Sequence, residues 1–123
     1  MNELINISGQ QFYSATIDQV IERCSHKERC AIIIDENYLG EFVANSKDIV
    51  GESVNQIVII SENLNAVLAQ LKGLNVLLIS VGSFEEAVKI SILGSELSKN
   101  VICISEKSNS ELKSVIEVIV DLN

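Results

Sequence analysis

Two loop-like segments carry the side chains best suited to chemistry, and each follows an apolar run. One contains Ser80, Gly82 and Ser83, and a segment of helical pattern follows it directly. Hydroxyls, a glycine and the free N–H groups of a helix start can hold a phosphate or a carboxylate. The other begins at Asp35 and includes Asn37. The first segment therefore predicts an anion site, to which the second contributes polar groups.

Each of these features also has a structural interpretation. Ser83 and Glu86 have the spacing of a capping box, in which both side chains bond to the first turn of a helix. Asp35 and Glu36 can cap the following helix in a similar way. We favour the structural role for Ser83 and for Asp35, whereas Ser80 suits either role. Glu36 or Glu86 would move protons only if the protein were an active isomerase, and we assign no catalytic residue.

These loops must be positioned by strands and helices that alternate along the chain, as in βαβ units. Capping boxes begin at Thr16, Ser83 and Ser108 and mark helix starts. The pattern predicts strands over 30–34, 56–60, 75–79, 101–104 and 116–120, and helices from Thr16 to about Cys24, Tyr38 to Ile49, Leu64 to Leu71, Ser83 to about Leu97, and a short one from Ser108.

The first four predicted strands are continuous apolar runs, which indicates burial on both faces and hence a parallel sheet covered by helices. We therefore predict a Rossmann-like, three-layer α/β sandwich with a five-stranded parallel sheet. A flavodoxin-like strand order, 2-1-3-4-5, places a switch point between the first and third strands. The loops at Asp35 and Ser80 would meet there.

Length and charge limit the possible functions. The chain has 123 residues, which predicts a single domain over 1–123. It has no apolar run of the roughly 20 residues that a membrane helix needs, and its start does not resemble a signal peptide, so we expect a cytoplasmic protein. The net charge of −8 argues against binding to nucleic acid or anionic membranes and suits a basic partner.

Metal and thiol chemistry are not indicated. Cys24, Cys30 and Cys103 form no Cys-x-x-Cys pair, and His26 is the sole histidine. With one histidine and no Cys/His cluster of the kind that holds zinc, we predict no metal and no cofactor. Cys103 lies within an apolar strand pattern and is expected in the core, and His26 is expected at the surface.

The segments Asn75–Ala87 and Asn100–Leu112 resemble the sugar isomerase (SIS) family. In that family a strand ends in a Ser-rich phosphate loop with glycine, and a helix beginning Thr-Glu-Glu follows. A Val-Ile-Ala-Ile-Thr strand and a Ser-x-Leu helix come next. The resemblance implies an SIS-like fold, a phosphorylated sugar as ligand and a homodimer with sites at subunit contacts. If the chain were active, it would be an aldose–ketose isomerase.

The sequence departs from that family at the positions that bind phosphate. Asp35, Asn37 and Leu39 stand where the family resembles Gly-x-Gly-x-Ser, and Phe84 stands where a threonine is usual. We therefore expect a non-catalytic SIS-like domain with a degenerate anion site formed by five residues: Ser80, Gly82, Ser83, Asp35 and Asn37. The helix beginning Glu-Glu-Ala-Val also resembles the Mur-ligase C-terminal domain, whose nucleotide and substrate motifs have no counterpart here.

The alternative is a small acidic interaction module. Proteins of the immunity type, or accessory subunits of a larger complex, can act by covering a basic partner. The charge of −8 favours this alternative, and the phosphate-loop resemblance favours the first hypothesis.

Overall fold

A computed structural model describes residues 1–7, 9–24, 29–46, 53–63, 65, 76–93 and 100–121. Within these residues, six strands and four helices form one α/β unit, which confirms the predicted class. The elements are β1 (Asn2–Ile7), β2 (Gln10–Ser14), α1 (Ile17–Cys24), β3 (Cys30–Asp35), α2 (Glu36–Asn45), β4 (Val54–Ile60), β5 (Leu77–Val81), α3 (Phe84–Leu93), β6 (Asn100–Ile104) and α4 (Asn109–Asp121).

The strands form a mixed sheet in the order β1-β2-β6-β3-β4-β5. β1 pairs with β2 in antiparallel orientation, and every other neighbouring pair is parallel. β6 pairs on both sides, so Ile102 aligns with Tyr13 of β2 and with Ile32 of β3. The predicted five-stranded parallel sheet and its order 2-1-3-4-5 are therefore wrong, because the sheet has six strands and one antiparallel pair. The switch point lies between β3 and β6, because the chain leaves β3 toward β4 and returns to the other side of β3 as β6.

The amino-terminal hairpin was not predicted. β1 and β2 are joined around Gly9, whose φ of 83° is accessible to glycine at little cost. β1 alternates between exposed and more buried positions, as an edge strand with one solvated face does. β2 begins with two glutamines, and this polar start does not indicate a strand, although most of β2 is buried.

The predicted edge strand over 116–120 is wrong, because these residues belong to helix α4. Leu112, Ile116 and Ile119 are buried, whereas Val118 is 57% exposed. Spacings of three and four residues between buried positions are those of a helix. The β-branched side chains suggested a strand, but the Ser108 capping box begins a helix that continues through them.

The remaining predicted elements agree with the structure to within a few residues. The strand predicted over 75–79 is observed at Leu77–Val81, and the helix predicted over 38–49 is observed at Glu36–Asn45. Most of the predicted helix Leu64–Leu71 and the ends of the predicted helices Tyr38–Ile49 and Ser83–Leu97 lie outside the described residues. Among those residues, no helix is long and apolar enough to cross a membrane.

The core occupies both faces of the sheet. Ile32, Ile34 and Ile57 pack in the layer that contains α1 and α2. Ile33 and Cys103 pack in the opposite layer, with α3 and α4. Successive strand residues therefore enter opposite core layers, which explains the continuous apolar runs in the sequence. Burial also raises the pKa of the Cys103 thiol to about 12, so this cysteine is a core residue, as predicted.

We expect Ile116→Ala to lower the free energy of unfolding by about 2–5 kcal/mol, because it removes a fully buried side chain. Val118→Ala should change it by about 0.5 kcal/mol or less, because Val118 is exposed. Urea denaturation measures both. In a strand, residues 116 and 118 would share a face, so equal losses for the two variants would contradict the helix.

Candidate functional site

A cavity of about 190 Å³ lies between the carboxyl ends of β2 and β6, the first turn of α1, and the first two turns of α2, the helix that follows β3. This is the switch point of the sheet, where open α/β folds bind their ligands. Its lining combines apolar, hydroxyl and acidic side chains from three segments of the chain: Ala15, Thr16, Ile17, Asp18, Tyr38, Glu41, Ile104 and Ser105.

The segment after β2 is held in place by backbone bonds and a capping box. The Ala15 N–H donates to the carbonyl of Cys103 at 3.1 Å, which joins the end of β2 to β6. The Thr16 N–H donates to Gln19 Oε1 at 3.0 Å, and the Gln19 N–H donates to Thr16 Oγ1 at 3.3 Å. The predicted capping box is confirmed, and it places Asp18 in the exposed first turn of α1, beside the cavity.

Tyr38 connects the two sides of the switch point. It comes from α2, is partly exposed, and interacts with Glu106 in the turn after β6. Burial raises the pKa of Tyr38; the charge of Glu106 and a hydrogen bond with it raise it further, as do the charges of Asp35 and Glu41. The phenol therefore keeps its proton. Carboxylates from the turn after β6 and from the segment 35–41 both act on this hydroxyl.

A second, smaller cavity of about 150 Å³ adjoins the first and shares Ala15, Thr16 and Ser105 with it. Ser14 Oγ donates to Asn109 Oδ1 at 2.6 Å, which ties β2 to the start of α4. The backbone N–H of Lys107 donates to Ser105 Oγ at 3.2 Å. The polar groups around this cavity thus hold the loop after β6 in position.

The carboxyl end of the sheet is strongly acidic. Among the described residues that follow the five parallel strands (15–18, 35–41, 61–63, 82–86 and 105–111), one is basic, Lys107. Carboxylates near helix starts complement the helix dipole, and five of the acidic residues lie in the first turn of a helix. Together they give this end of the molecule a negative potential. Nine residues are acidic: Asp18, Asp35, Glu36, Glu41, Glu62, Glu85, Glu86, Glu106 and Glu111.

The predicted phosphate loop bonds to its own helix. The Gly82 N–H donates to Glu86 Oε2 at 3.2 Å, and the Glu86 N–H donates to Ser83 Oγ at 3.2 Å. Ser83 therefore caps α3 as predicted, whereas Glu86 accepts from the Gly82 N–H, one residue before the N-cap N–H that a capping box uses. Ser80 Oγ lies 3.5 Å from the Ser61 carbonyl, at the limit of a hydrogen bond, and the Phe84 side chain is buried.

The two predicted loops do not meet at a switch point, because β4 lies between β3 and β5. Ser61, which follows β4, donates from its hydroxyl to Glu36 Oε2 at 2.9 Å. Asp35 occupies the N-cap position of α2, but its side chain makes no capping bond. Asn37 is exposed on α2. Ser61 thus separates the Ser80 segment from the Asp35 segment.

Sequence reasoning missed the residues that line the cavity, above all Asp18, Glu41 and Ser105. The Thr16 capping box could have pointed to Asp18, because it begins the helix that follows β2. That position was not recognised as the carboxyl end of a parallel strand, because β2 itself was not predicted. Cys24's side chain and His26 lie outside the described residues. Within the described part, no group of three Cys, His, Asp or Glu side chains could hold a metal.

No protein-family model matches the sequence. No curated protein matches it either. The functional interpretation therefore depends on the chemistry of the site.

We expect Glu106→Gln to lower the pKa of Tyr38 toward its ordinary value of 10.0, because it removes a negative charge and a charged hydrogen-bond partner. Burial and the charges of Asp35 and Glu41 should still hold the pKa of Tyr38 above 10.0 in this variant. An NMR titration of the Tyr38 ring measures it, with Glu85→Gln as the control. An unchanged Tyr38 pKa in Glu106→Gln would mean that the two residues do not interact across the switch point.

Proposed function

We propose that this chain is a non-catalytic binding domain that receives a basic segment of a partner protein at the carboxyl end of its sheet. The observation that carries the proposal is the charge at that end, nine acidic residues against Lys107 among the described residues. A concentrated negative potential accelerates association with a cationic surface and opposes the approach of a phosphate.

The carboxylates are accessible to a partner. Seven of the nine are exposed, and Asp35 and Glu36 are partly exposed. Exposed charges at the rim of an interface act mainly on the association rate and on its salt dependence. The partner surface is therefore expected to be basic and the complex sensitive to salt. Among the described side chains, Cys30 and Cys103 are buried cysteines that form no disulfide, which suits a cytosolic site of action.

The hydrogen bonding of the two candidate proton carriers supports a binding role. Glu36 accepts a hydrogen bond from the Ser61 hydroxyl, and Glu86 accepts one from the Gly82 N–H. A general acid or base must instead reach the proton that it moves on a substrate. Both carboxylates are thus used to hold the ends of neighbouring elements.

The sugar isomerase resemblance leads to a second candidate, an anion site at Ser80–Ser83. One observation favours it: Gly82 is exposed, with open space around it, directly before the ten-residue helix α3. A bound phosphate would displace the Glu86 carboxylate from the Gly82 N–H and would lie close to Glu85. The homodimer implied by the resemblance belongs to this candidate.

The charge at the carboxyl end can be tested with two variants of equal net charge. We expect Glu62→Gln/Glu85→Gln to weaken binding of the basic partner, because both residues are at the carboxyl end of the sheet. Glu117→Gln/Asp121→Asn, in the middle and at the end of α4, should not. The partner is first identified by crosslinking and purified, and its dissociation constant is then measured by calorimetry.

Ionic strength gives a second readout of the same complex. Raising the salt from about 0.1 M to about 1 M shortens the screening length from about 10 Å to about 3 Å, so the dissociation constant should increase. Equal binding by the two double variants, or affinity independent of salt, would rule out the proposed function.

Thermal denaturation separates the two candidates. A ligand at 100 times its dissociation constant stabilises a protein by about 2.7 kcal/mol, so binding at Ser80–Ser83 would raise the melting temperature. We expect no increase with millimolar inorganic phosphate or a hexose 6-phosphate. An increase that Ser83→Ala abolishes would favour the anion site instead.

A further inference from the structure

We propose that the cavity at the carboxyl ends of β2 and β6 receives one arginine side chain of the basic partner, with Asp18 of α1 and Glu41 of α2 binding its guanidinium group. The inference rests on the proposed function and names the residue that would anchor the complex. It is carried by the size and lining of the cavity, together with the charge around it.

The lining suits a side chain that is apolar along its length and charged at its end. Ala15, Ile17 and Ile104 supply apolar surface, whereas Asp18 and Glu41 supply carboxylates from two different helices. Arginine buries its methylene groups against apolar surface and keeps its guanidinium group among polar partners. A phosphorylated ligand would instead bring negative charge to two carboxylates.

The cavity volume indicates a single side chain rather than a free metabolite. It is about 190 Å³, whereas pockets for small molecules and cofactors are typically about 300–1,000 Å³. Buried anchors in small pockets provide much of the affinity of protein interfaces, and arginine is one of the residues enriched among them.

Arginine fits the donor and acceptor pattern better than lysine does. Its planar guanidinium has five N–H donors, so it can bond to carboxylates on two helices at once, and it stacks on aromatic rings. Tyr38 is the aromatic residue among those that line the cavity. The same chain already pairs these groups elsewhere, because Arg23 lies 4.5 Å from the centre of the Tyr13 ring and donates to its hydroxyl at 3.2 Å.

The test uses the full chain and a minimal probe, N-acetyl-arginine amide, followed by NMR shifts of the backbone amides. We expect shifts at Thr16, Asp18, Glu41 and Ser105. The neutral isostere N-acetyl-citrulline amide should produce none, because it lacks the charge. This comparison uses one unmodified protein, so it does not depend on the folding of a variant.

Variants then test whether Asp18 and Glu41 are the carboxylates that bind the arginine probe. Asp18→Asn and Glu41→Gln should each weaken binding of the arginine probe by about tenfold, as expected for the loss of a charged hydrogen-bond partner. Glu117→Gln, on α4 and away from the cavity, should leave it unchanged. Equal binding of citrulline or N-acetyl-lysine amide, shifts that map elsewhere, or variants indistinguishable from Glu117→Gln would overturn the inference.

The partner protein separates this inference from the proposed function. If Glu62→Gln/Glu85→Gln weakens the complex while Asp18→Asn and Glu41→Gln do not, the arginine anchor is wrong and the basic partner stands. If none of these variants affects the complex, both fail. Loss of affinity in all of them supports both.

Discussion

Strand β6 is enclosed on every side, and the arrangement of the molecule follows from that condition. Its two edges pair with β2 and β3, and its faces enter the two core layers, with Ile102 and Ile104 on one side and Val101 and Cys103 on the other. Buried backbone groups must be paired, so β2 and β3 must each lie at hydrogen-bonding distance from β6. This fixes the distance between β2 and β3. The carboxyl ends of β2 and β6 line the cavity together with α2, the helix that follows β3.

The acidic character of the site follows from the same architecture. Parallel strands bring the start of each following helix to one end of the sheet, and a helix start favours nearby carboxylates. Asp18, Glu85 and Glu111 lie in the first turns of α1, α3 and α4. Side chains that stabilise separate helices thus combine into one negative surface. Asp18 and Glu85 thus serve both local helix stability and the proposed recognition of a basic partner.

The local features of the fold could be predicted from the sequence, but the neighbours of each strand could not. Apolar runs such as 30–34 identify buried strands, and the Thr16 and Ser83 capping boxes identify helix starts, because both signals depend on adjacent residues. Strand order depends on pairing between distant segments. Because β2 starts with polar residues, it was not recognised as a neighbour of β6. The loops at Ser80 and Asp35 were therefore expected to meet, whereas the cavity is lined by Asp18 and Glu41.

The position of β6 also has a consequence for the order of folding. Phe12 and Val101 pair directly, although they come from opposite ends of the chain, and long-range contacts of this kind slow folding because a large loop must close first. On the ribosome, β2 and β3 have no parallel strand between them until residue 104 has been made. Completion of the sheet is therefore a late step, and the cavity forms only when that step is finished.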